Sequence, residues 1–172
     1  MKKILFLLIF FSSILINAQD FRNAKWGASV DDIKRTETAK LVREEDGVLV
    51  YSGNMDGKLA SIWYLFSNSG LKSVRVKFQT NKDQDYSRYV ENHIRLIALF
   101  VNKYGYPDEG IKPWLIKYVL SSVEKRKNII IREIADGMDS ELTWKSDVSL
   151  IHLSLKLSEN FLPVHNLTYS AL

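Results

Sequence analysis

Histidines, cysteines, activated serines and paired carboxylates carry most hydrolytic and metal chemistry, and this chain sets few of them in a working pattern. Its three histidines are His93, His152 and His165, and it has no cysteine. A metal site favours ligands at short paired spacing, such as two histidines four apart on a helix, and none of the three has a histidine or cysteine so placed. His93 falls at the edge of the apolar face of a long helix, and His152 on the wet side of a strand. Gly27-Ala28-Ser29-Val30-Asp31 resembles a nucleophile elbow only in part, because the second glycine is missing; a helix-capping role suits Ser29 better. Aligning Gly57 with the glycine of a calcium loop puts Ser52 and Trp63 where carboxylates are required, so Asn54-Met55-Asp56-Gly57 reads as a hairpin turn. Glu44-Glu45-Asp46 reads as a solvated loop before a turn, and Lys125-Arg126-Lys127 as a solvated helical end. No catalytic residue, cofactor or metal ligand is assigned.

The elements that would position any site follow from periodicity. Ser29 caps a short helix to about Thr36, with Asp31 and Asp32 in its first turn. Val48–Tyr51 is β-branched and aromatic and lies between the turns Asp46-Gly47 and Asn54–Gly57. In Lys58–Phe66, Ala60, Ile62, Tyr64 and Phe66 point one way and Leu59, Trp63 and Leu65 the other, so both faces are apolar and a central strand is expected. Asn68-Ser69-Gly70 turns the chain into Leu71–Phe78, where Val74, Val76 and Phe78 alternate with Ser73, Arg75 and Lys77.

The period then changes. Tyr86, Val90, Ile94, Ile97, Val101 and Tyr104 recur at steps of three and four, predicting a helix from about Asp83 to Tyr104 that Gly105 and Pro107 end. Trp114 to Ala135 reads as further helix, with Ile129–Ile131 equally suited to a strand. Three strands, Glu141–Lys145, Val148–Leu157 and Asn166–Ala171, finish the chain. Runs of strands and helices that do not strictly alternate favour an α+β class with antiparallel β-meander sheets. The two halves, 19–80 and 81–172, share a helix-then-meander order within a single domain spanning 19–172.

Composition and compartment bound the rest. Lys2 and Lys3, the apolar run from Ile4, and Ile16-Asn17-Ala18 have the order of a secretory signal peptide, predicting removal of residues 1–18 and a periplasmic or secreted product. Without Lys2 and Lys3 the formal charge falls from +4 to +2, too small to suggest nucleic acid as a partner. Lack of cysteine excludes disulfides and a lipoprotein anchor. Beyond residue 18, no segment is long and apolar enough for a membrane helix, the densest being Ile94–Val101, which Arg95 interrupts.

Phe21, Trp26-Gly27, Ser29, Tyr64-x-Phe66, Lys103-Tyr104-Gly105-x-Pro107, the Trp144 strand and Leu167-x-Tyr169-Ser170 together resemble a group of small secreted bacterial proteins of unassigned function. Their arrangement is similar to that of the β-lactamase inhibitor protein-like fold. The resemblance implies helices on one face of an antiparallel sheet, the other face open, and binding of other proteins rather than catalysis.

With the inward residues facing the helices, the opposite face would carry Ser73, Arg75, Lys77, Thr143, Lys145, His152, Ser154 and Lys156. Arg75, Lys77, Lys145, His152 and Lys156 on this polar, basic face, with Tyr106 and Trp114 beside helix ends, are the candidate binding residues. Tyr104 and Tyr118 are candidates of the same kind. The expected function is a non-catalytic binding module of the cell envelope. Its partner would be another envelope or secreted protein, or an acidic glycan. The alternatives are a secreted hydrolase with scattered carboxylates and an inhibitor of a secreted enzyme.

Overall fold

Alternating sequences pair with one another because each strand has one face to bury. The computed structural model describes residues 21–80, 87–110, 140–158 and 163–172. Expectations for residues 1–18, for Asp83–Tyr86, and for Trp114–Ala135 with Trp114, Tyr118 and Lys125–Lys127 fall outside the described residues.

The elements run α1 (Val30–Thr36), β1 (Lys40–Glu45), β2 (Val48–Met55), β3 (Lys58–Ser67), β4 (Gly70–Phe78), α2 (Ser87–Tyr104), β5 (Ser140–Lys145), β6 (Ser149–Leu157) and β7 (Pro163–Ala171). The strands form one seven-stranded sheet in the order β1-β2-β3-β4-β7-β6-β5, antiparallel throughout. The class is α+β with an antiparallel sheet. Two meanders lie edge to edge, joined where β4 pairs with β7 from Ser73↔Ser170 to Lys77↔Asn166.

Cross-strand register lines up the buried rows. Ile62, Val76, Leu167, Leu153 and Leu142 occupy one row, and Tyr64, Val74, Tyr169, Ile151 and Trp144 the next. All ten belong to one buried cluster that also takes in Ile33 of α1 and Leu96, Ile97 and Phe100 of α2. Each such aliphatic or aromatic side chain is worth about 1.5–3 kcal/mol when fully buried. The Phe100 ring meets Trp144 at 5.3 Å and Tyr169 at 6.3 Å between centroids, and Trp144 Nε1 donates to Gly105 O at 3.0 Å. Gly105, with φ +83°, ends α2 in the left-handed conformation that favours glycine.

Ser29 caps α1 in a capping box. The Asp32 amide donates to Ser29 Oγ at 3.1 Å, while the Ser29 amide donates to the Asp32 carboxylate at 3.2 Å. Glu44 and Glu45, expected in a solvated loop, are instead the last residues of β1. They remain exposed, paired with Lys34 at 2.6 Å and Arg43 at 3.3 Å. β1 shows no alternation because all six of its residues are exposed; backbone pairing to β2 holds it. β3 is an interior strand, third of the seven. Among the described residues, no helix is long and apolar enough to cross a membrane.

Candidate functional site

The rows between the buried ones form the opposite face of the sheet. Arg43, Val50, Trp63, Arg75, Thr168, His152 and Thr143 follow one another from β1 to β5, each on the neighbouring strand. The parallel row runs Ser61, Lys77, Asn166, Ser154, Glu141. Trp63, Arg75 and Lys77 border a shallow hollow on its β3–β4 side; Asn166, Thr168 and Ser154 border it on the β7–β6 side, with Val164 at the end. The Arg43 guanidinium lies 4.6 Å from the centre of the Trp63 ring, and Val50, the cross-strand neighbour of Arg43, is buried on this outer face.

Charge is unevenly balanced here. The Lys156 ammonium is ion-paired with Glu141, a carboxylate that shares the face with the basic residues. Arg75 and Lys77 are exposed, and no carboxylate among the described residues lies within ion-pair distance of either. The hydroxyl of Thr143 and Nδ1 of His152 approach at 3.4 Å. Of the expected binding residues, Arg75 and Lys77 border the hollow, and His152, Lys156 and Lys145 lie on the same face beyond it. Tyr106 is exposed in the segment after α2 and is not among the residues lining the hollow. Trp63, which the alternation of its strand already turned away from the core, is the contributor that a tally of basic residues missed.

A second polar cluster is enclosed. His93 and His165 are fully buried, not at a helix edge as periodicity suggested for His93, and their Nδ1 and Nε2 atoms face each other at 3.1 Å. Asn92 Nδ2 lies 3.4 Å from His165 Nδ1, and His93 Nε2 lies 2.7 Å from Ser140 Oγ. Arg95 Nη2, which can only donate, approaches Asn92 Oδ1 at 3.3 Å. That contact turns the Asn92 amide nitrogen towards His165, and every later bond then runs in one direction, ending with His93 Nε2–H donating to Ser140. In that direction His93 presents no lone pair to the hydroxyl, so Ser140 has no general base. Burial pushes both imidazoles down, His165 to about 3 and His93 well below its ordinary value with the neighbouring His165 adding to the effect. The cluster is a neutral strut between α2, β5 and β7.

A third cluster centres on Glu37, which follows α1. Burial alone would raise its pKa. The Tyr64 hydroxyl, the Ala39 amide at 2.8 Å and the Arg22 guanidinium at 3.0 Å all stabilise the carboxylate, and the net shift is downward. The surrounding cleft contains Arg22, Thr36 and Tyr64 but, among the described residues, no second carboxylate, as a glycosidase pair would require. No group of three or more His, Asp or Glu side chains among the described residues could hold a metal ion. Compared with known families, characterised proteins and solved structures, the chain matches none.

Proposed function

We propose that the chain is a non-catalytic binding module of the bacterial envelope, exported by residues 1–18, that presents the open face of its sheet to an acidic partner. One observation carries the reading: Arg75 and Lys77 stand exposed beside a hollow with no carboxylate of the described residues to neutralise them. Charges placed in this way raise the rate of encounter with an anion and orient it on arrival. The directions of the bonds around Ser140, and a Glu37 cleft with no other carboxylate among the described residues, both favour binding over hydrolysis.

The fold supports the same reading. Contacts of Ile33 and Phe100 with the inner rows favour an arrangement in which both helices cover one face. Each half then runs helix-then-meander, the two meanders meeting at β4 and β7. Helices on one face of an antiparallel sheet are what the resemblance to the β-lactamase inhibitor protein-like fold implies, and such an arrangement would leave the second face free. Export follows from the order of charged, apolar and small residues in Met1–Ala18.

Retention on an immobilised carboxylate polymer tests the function. Retention should fall with salt and be lost in Arg75→Glu/Lys77→Glu, while Lys40→Glu/Lys103→Glu, with the same change in net charge, keeps it. Equal loss in both double variants would reduce the effect to net charge and refute the reading. Mass spectrometry of exported protein tests the leader: an N-terminus at Gln19 is expected, and one at Met1 would refute export by cleavage.

A further inference from the structure

We infer that the ligand of the open face is an acidic polysaccharide bearing carboxylates, an inference that rests on the open-face reading above. Three features of the hollow point to this chemistry.

The first is what the backbone leaves available. β3, β4, β7 and β6 are interior strands, and at Trp63, Arg75, Lys77, Asn166, Thr168 and Ser154 each is paired on both sides, so those N–H and C=O groups are already used in the sheet; only Val164, at the end of the hollow, lies beyond the β4 pairing. A peptide cannot be recognised here by adding a strand, and only side chains can read the ligand.

The second is the set of side chains. A sugar ring presents apolar C–H patches together with hydroxyls that both donate and accept. Trp63 supplies an aromatic wall, held from the β1 side by Arg43. The half-buried Asn166 amide and Thr168 hydroxyl supply donors and acceptors, and Ser154 is buried beside them. A protein interface of ordinary size is built around an apolar centre. Here only Trp63 and Val164 of the seven lining residues are apolar side chains.

The third is spacing. Arg75 and Lys77 are alternate residues of β4, so they stand on one side of the sheet about 7 Å apart along the strand. An extended polymer running across the sheet meets a new strand about every 4.8 Å, passing Trp63, the two cations and then the amide and hydroxyl positions. The Arg75 guanidinium can take a carboxylate in a two-point fork, and Lys77 a second negative group as a point charge.

Affinity electrophoresis of the purified protein tests the assignment, with polygalacturonate, polyglutamate and neutral dextran cast separately into the gel. Polygalacturonate should retard the protein and dextran should not, with polyglutamate giving only weak, salt-sensitive retardation. Trp63→Ala should weaken retardation by polygalacturonate at least tenfold and leave that by polyglutamate unchanged. Asn166→Ala, a milder substitution at a half-buried position, should act in the same direction if Trp63→Ala does not fold. Polyglutamate binding as tightly as polygalacturonate, with both variants unaffected, would overturn the polysaccharide and leave the acidic-partner reading standing. Retardation by neither acidic polymer, or undiminished retardation of Arg75→Glu/Lys77→Glu, would overturn both.

Discussion

Acid should weaken this fold well above the range in which carboxylates titrate, and the buried histidine chain sets by how much. His165 is stacked on Phe78 with ring centroids 4.6 Å apart, hydrogen-bonded to His93, and held neutral by burial with its pKa lowered to about 3. An exposed histidine in the unfolded chain titrates near 6.5. Because the folded value is the lower one, the folded state binds fewer protons below pH 6.5. The stabilisation is complete above that pH and is lost as pH falls towards the folded value. At pH 5 the unfolded side chain is about 1.5 units below its pKa, which costs the folded state about 2 kcal/mol for His165 alone. His93 shifts in the same direction and adds to the loss. Against a typical total of about 5–15 kcal/mol this is a large fraction. The Glu37 carboxylate, lowered from 4.5, contributes acid sensitivity only below that range. Urea unfolding at pH 7.5 and pH 5.0 should therefore show a drop of at least about 2 kcal/mol. In NMR titrations the C–H resonances of His93 and His165 should not move through pH 6.5. Stability unchanged between the two pH values, or either buried histidine titrating near 6.5, would refute the reasoning.

Two further substitutions probe the frame. Gly70 has φ +95°, and a Cβ added there would meet the Gly27 carbonyl oxygen at 2.2 Å, where Gly27 and Ala28 bond to Leu71. Gly70→Ala should cost about 2–4 kcal/mol in urea unfolding, and a loss below 0.5 would contradict the close approach. Tyr64→Phe removes one donor from the nearly buried Glu37 carboxylate, and should cost about 1.5–3 kcal/mol and raise the Glu37 pKa. A neutral effect on both would show that the contact carries no energy.

The parts legible in the sequence are those with a simple period. Leu71–Phe78 shows its two faces because Val74, Val76 and Phe78 enter the core while Arg75 and Lys77 remain wet, and the register confirms both sets. Ser29 was readable because a cap is local. β1 was not, since Lys40–Glu45 is exposed on both sides and carries no alternation, its place being fixed by hydrogen bonds to β2. The histidine chain was hidden for a different reason. His93 and His165 are 72 residues apart, and helical periodicity treats a histidine as polar without seeing the partner that permits burial. Glu141 shares its parity with Thr143 and Lys145, so its position was readable; its pairing with Lys156 needed the register of β5 on β6. For the binding face, Arg75 and Lys77 were legible from alternation, but their proximity to Asn166 and Thr168 depends on β4 pairing with β7 across the two halves.

Chemical-shift mapping by two-dimensional NMR, with a galacturonate oligomer titrated into the purified protein, tests the open face most directly. Saturable shifts should concentrate at Trp63, Arg75, Lys77, Asn166 and Thr168, including the Trp63 indole N–H, and disappear in Arg75→Glu/Lys77→Glu. Shifts centred on α2 or on the Arg22–Glu37 cleft, or none at all, would contradict the open-face reading.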